Sequence, residues 1–249
     1  MFAPLILAII FFLPLPVMRV YGRNIKDGYK TIFIGVGLVA AGITAVFILA
    51  RFMGSPIGAS IAENLGEVTA VASENPTVVD MMGLGKVAPQ ERVKVLTEAY
   101  TYAFNALPAL MLILATLVSY MEYRILVRFT AGGSEPLTAL TPIKDFSLPK
   151  RAFWGWIIIY AVTAMSVILG VYGSDVLQAN VQLLFQFVFQ IQGVAVIFFF
   201  CSYKKWSSKI GLILSIIFFL TSIGQMLLCL LGFLDLGFGL RKPGWRRRK

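Results

Sequence analysis

The chain has 249 residues, 58% of them hydrophobic and 14% charged, with a mean hydropathy of +0.82. So few charges cannot cover so much apolar surface in water, which excludes a soluble globular fold. The net charge of +10 does not point to nucleic acid, because most basic residues stand in short loops between apolar blocks, where they orient helices and meet anionic lipid headgroups.

The composition predicts an all-α, polytopic transmembrane bundle of about six spanning helices, forming a single transmembrane domain over residues 1–249. The apolar blocks approach or exceed the roughly 20 residues that cross a bilayer core. In chain order they are Phe2–Met18, Thr31–Phe52, Tyr102–Met121, Phe153–Tyr172, Leu177–Phe200 and Ile210–Leu234. The first block lacks a basic leader and a small-residue cleavage site, so it reads as a retained helix rather than a cleaved signal.

Loop charge alternates along the chain. Arg19, Arg23, Lys26 and Lys30 follow the first block, and Arg124, Arg128, Lys144, Lys150 and Arg151 follow the third. Lys204, Lys205 and Lys209 follow the fifth. These loops are expected on the cytoplasmic side of a bacterial inner membrane, with the N-terminus outside. The loop 54–98 between the second and third blocks is acidic overall and is expected outside. Within it, Pro89-Gln-Glu-Arg reads as a helix start, and Val93, Leu96, Ala99 and Tyr100 continue at helical spacing. That pattern predicts an amphipathic helix feeding the third block, with a plain connector as the alternative.

The last block is ambiguous. A single crossing places the basic tail 241–249 outside, against the charge rule. A turn near Thr221–Gln225, around Gly224, would bring the chain back. On length the single crossing is favoured.

Chemistry-bearing residues are few. Histidine is absent, which removes serine–histidine and cysteine–histidine nucleophile pairs and histidine metal ligands. Cys201 and Cys229 have no metal-ligand spacing. No acid–base pair appears inside the apolar blocks, so no enzyme activity, cofactor or metal is expected. In the third block, Asn105 and Pro108 sit near the outer end, where Pro108 is expected to kink the helix. Gly37 and Ala41 in the second block form a small-xxx-small pair, which predicts close helix packing.

The most informative pattern is in the fifth block. Gln178, Gln182, Gln186 and Gln190 recur every four residues, with Asn180 and Gln192 nearby. On a helix this spacing makes a slowly drifting stripe. An unpaired amide in hydrocarbon costs several kcal/mol, so the stripe must meet a neighbouring helix, another subunit or a polar cavity. Two readings follow. In one, the stripe and Asn105 line a site for a neutral or zwitterionic small molecule. In the other, the stripe is the interface of a homo-oligomer or of a larger membrane complex.

Several segments carry a resemblance. Pro108-Ala109, Phe146-Ser-Leu-Pro149 before Trp154, Gln192-Gly-Val-Ala-Val-Ile197, and Gly232-Phe-Leu-Asp235 with Phe238 and Arg241 together resemble the YybS-like family of uncharacterised bacterial membrane proteins. The likeness covers about Tyr100 to Arg241, and the N-terminal third departs from the family pattern. That family is in turn distantly similar to the substrate-binding S components of energy-coupling-factor transporters. The resemblance implies a transport-related membrane subunit, by analogy of fold.

Overall fold

The computed structural model describes residues 10–52, 57–133 and 136–241. Every regular element in those residues is helical. The chain divides into two compact units, residues 1–138 and 139–249.

In the first unit, α1 (Pro14–Ile25) opens with proline in its first turn, where a missing N–H costs nothing. Lys26 ends it in the left-handed region, and Asp27 then accepts from the amides of Tyr29 and Lys30 to start α2 (Gly28–Phe52). These two helices pack with α6 (Leu107–Thr130), and Ile10, Val39 and Ala115 are buried together. Close approach occurs at Gly35 and Gly42: a Cβ there would meet Met18 and Ser119, or Ile10. Around Gly37 there is open space, so the glycine positions that permit packing differ from the expected Gly37–Ala41 pair.

Between α2 and α6 lies a small helical assembly built from α3 (Ile57–Glu74), α4 (Pro76–Met81), a 3-10 turn at Leu84–Lys86, and α5 (Pro89–Asn105). Ala72, Val79, Leu84 and Leu96 form its core. Arg92 ties the turn down by donating to the carbonyls of Val87 and Gly85. The helix beginning at Pro89 is where the sequence places it. Pro108 does not kink the interior of a span: α5 stops at Asn105, and α6 begins at Leu107 with Pro108 in its first turn.

The second unit holds α7 (Lys150–Ile168), α8 (Ser174–Tyr203), α9 (Ser208–Leu220) and α10 (Ser222–Phe238). Ile158, Val162, Met165 and Leu169 on or just beyond α7 are exposed, as lipid-facing residues are. Among the described residues, four helices are long and apolar enough to cross a membrane: α2, α6, α7 and α8. A fifth crossing is counted if α9 and α10 are taken together, although they are bent by 117° at Thr221. The expected single helix Ile210–Leu234 is therefore broken. Thr221 is extended, and its Oγ1 accepts from the Gly224 amide and caps α10. Residues 2–9 of the first expected span and the tail beyond Arg241 lie outside the described residues.

Candidate functional site

The second unit contains a cleft of about 440 Å³ between α8 and α10. Its polar lining is Gln186, Gln190, Ser222 and Gln225, and its apolar lining includes Phe185, Met226, Cys229, Leu230 and Phe233. Among the described residues no acidic or basic side chain lines it. The volume lies within the range of small-molecule pockets, which are mostly apolar with a few convergent polar groups.

The helix crossing beside this cleft is made by backbone. A Cβ at Gly232 would fall on the carbonyl of Phe189 and near the amide of Gly193, and one at Gly193 would fall on the carbonyl of Leu228. In lipid, small residues bring helices together because dispersion and polar contacts must replace the hydrophobic drive. Phe185, Phe189, Phe233 and Phe153 fill the adjoining space, with ring centroids 4.3 to 6.3 Å apart in successive contacts.

At one side of the crossing lies a buried polar network. Gln192, fully buried, donates from Nε2 to Asp235 Oδ2 at 2.6 Å and accepts from the Leu148 amide at 3.2 Å. Arg241 donates from Nη2 and Nε to the same Asp235 oxygen, at 2.6 and 3.0 Å. Its Nη1 donates to the carbonyls of Lys144 and Phe146 at 3.1 and 2.8 Å. The turn that returns Arg241 to Asp235 needs Gly239, which ends α10 at φ 69° and donates to the Asp235 carbonyl. The Phe146–Pro149, Gln192-Gly193, Gly232–Asp235 and Arg241 segments thus converge on one spot.

The glutamine stripe divides along α8. Gln186 and Gln190 enter the cleft. Gln190 reaches the Gln225 carbonyl only at 3.5 Å, while Gln225 Nε2 donates across the helix break to Phe219 at 2.8 Å. The Gln186 side chain makes no hydrogen bond among the described residues, while its backbone belongs to α8. Gln182 is exposed, and the Gln178 Oε1 atom is buried without a hydrogen-bond partner. Asn105 belongs to the first unit, at the end of α5, and is not among the cleft residues. Ser222, Gln225 and the aromatic wall were not singled out from sequence as lining. Their signal was the interruption of the last apolar block at Thr221–Gln225.

A family model described as "Predicted membrane protein (DUF2232)" matches residues 1–236, so the chain belongs to that family. The match reaches residue 1, well upstream of the Tyr100 boundary expected from the motifs. The chain is also 22% identical over 155 residues to the "Uncharacterized protein YybS" of Bacillus subtilis (strain 168). That alignment covers 61% of this chain and 49% of the relative, so the chain spans about half the length of the curated protein it matches. No solved structure matches.

Proposed function

We propose that this member of the DUF2232 family of predicted membrane proteins binds a neutral or zwitterionic small molecule in the α8–α10 cleft. It does so without catalysis, as a transport-related subunit of a bacterial inner membrane. The observation that carries this reading is the lining itself. Four uncharged polar side chains, Gln186, Gln190, Ser222 and Gln225, face a pocket-sized space otherwise walled by Phe185, Phe233, Met226 and Leu230. Amides offer both donors and acceptors and no net charge. They suit a ligand whose charges are absent or internally balanced. Gln186 has its hydrogen-bonding capacity unspent, and Gln190 spends its own on a long contact, so both can be redirected to a ligand at small cost.

The test is native mass spectrometry of the full chain purified in mild detergent. The expected result is a copurified small molecule that is retained by the wild type and lost from Gln186→Leu and Gln190→Leu at unchanged thermal stability. A folded wild type that never carries a ligand, from cells or from added metabolite extracts, would refute the reading.

Gln178 and Gln182 favour a second use for the N-terminal half of the same helix. An exposed amide on a spanning helix is costly against lipid, and a second chain would cover it. Oligomers that dissociate on Gln182→Leu while ligand binding persists would assign that half to assembly.

A further inference from the structure

The first unit holds a second polar site, independent of the cleft. On α6, Ser119 is fully buried and Glu122 is 7% exposed, one helical turn apart on the same face. The Ser119 hydroxyl and the Glu122 Oε2 atom are both buried without a hydrogen-bond partner. Two adjacent orphaned oxygens inside a spanning helix are costly, because hydrocarbon offers nothing to replace the lost water. Intramembrane ionisable groups of this kind mark ion or proton pathways.

The surroundings supply oxygen and sulfur but no paired cation. Ser119 faces the join of α1 and α2: a Cβ placed on Gly35 would lie 2.9 Å from the Ser119 Oγ and 2.6 Å from the Met18 Sδ. Gly35 therefore brings its backbone close against Ser119 and Met18, where the side chain of any other residue would clash. Among the described residues, the other charged and titratable groups on α6 and on the two helices packed against it are engaged or exposed. Arg124 lies over the Tyr120 ring at 5.9 Å, and the Tyr123 hydroxyl donates to the Thr138 carbonyl at 2.8 Å. Lys30 pairs with Asp27 at 3.7 Å, and Arg19 on α1 is exposed. Among the described residues no ion pair reaches Glu122.

We propose that Glu122 and Ser119 form a membrane-embedded cation site, taking a small monovalent cation in exchange for the carboxyl proton. The balance is simple: the acid releases one proton as one cation binds, and the site's net charge does not change. Glu122 supplies the charge and an oxygen ligand, and Ser119 supplies a second oxygen. Hard monovalent cations take such oxygen donors in preference to the nearby thioether.

The test uses dicyclohexylcarbodiimide, which attacks protonated carboxyls buried in apolar surroundings. The full chain in lipid nanodiscs is labelled at constant ionic strength in N-methylglucamine, sodium, potassium or lithium chloride, and the modified residue is located by peptide mass spectrometry. Label is expected at Glu122, absent from Glu122→Gln. One alkali cation at ten times its Kd should slow labelling about tenfold, since occupancy removes the free acid by mass action. Ser119→Ala should keep the label but require more of that cation for the same protection. If Glu122→Gln fails to fold, the wild-type and Ser119→Ala comparison still decides. Labelling that no alkali cation slows, or no labelling of folded protein at Glu122, overturns the proposal, and so does protection unaltered in Ser119→Ala.

Discussion

Replacing Arg241 with alanine isolates the energetics of the polar network. In the wild type two guanidinium nitrogens hold one Asp235 oxygen at 2.6 and 3.0 Å, and the side chains are only 11% and 4% exposed. Removing the arginine leaves the carboxylate buried with Gln192 as its remaining hydrogen-bond partner among the described residues, and breaking a buried pair in this way costs about 3–5 kcal/mol. The carbonyls of Lys144 and Phe146 also lose a donor, although they lie where water can replace it in part. A chain of this size shifts its melting temperature by about 2–4 °C per kcal/mol, so the fall should be about 6 °C or more. The double variant Asp235→Ala with Arg241→Ala removes the stranded charge as well. It leaves chiefly the Gln192 amide short of an acceptor, a loss of about 1–3 kcal/mol. Thermal unfolding followed by tryptophan fluorescence in detergent should therefore rank wild type first, the double variant second and Arg241→Ala last. A double variant no more stable than Arg241→Ala would refute this reasoning.

Two further perturbations test the packing. Gly232→Ala drives a methyl onto the Phe189 carbonyl, forcing α8 and α10 apart at a cost of about 1–3 kcal/mol, measurable as a lower melting temperature. Leu96→Ala empties a fully buried position among Ala72, Val79 and Leu84 and should cost about 2–5 kcal/mol, read as faster limited proteolysis within 57–105 while the α7–α10 unit stays resistant.

Much of the architecture was legible because lipid imposes a length and a composition. α2, α6, α7 and α8 overlap four of the expected blocks, displaced by three or four residues at most ends and, for α6, by five at its start and nine at its end. The helix 57–74 was not legible. Its sequence relies on alanine, glycine and small polar residues, which give a helical face little contrast in hydropathy. The break at Thr221 was visible as an alternative, yet block length favoured a continuous helix. The threonine cap and the Gln225 bond to Phe219, which satisfy the freed backbone groups, depend on the fold. Half of the stripe, Gln186 and Gln190, reached the cleft; spacing of four could identify a line of amides but could not say where along the line a partner helix would stop. The convergence of Gln192, Asp235 and Arg241 was hidden for a related reason. Each stood in a recognisable segment, but 43 and six residues separate the bonded pairs, and only the crossing of α8 and α10 closes the larger gap.

That crossing has a consequence for how such a receptacle can diversify. Where two main chains touch at Gly193 and Gly232, the angle between the helices is set by atoms that no rotamer change can move. The frame of the cleft is then decoupled from its upholstery. Met226, Cys229 and Leu230 can be exchanged for other apolar residues and the recess will change in size while keeping its outline, without the scaffold itself being rebuilt.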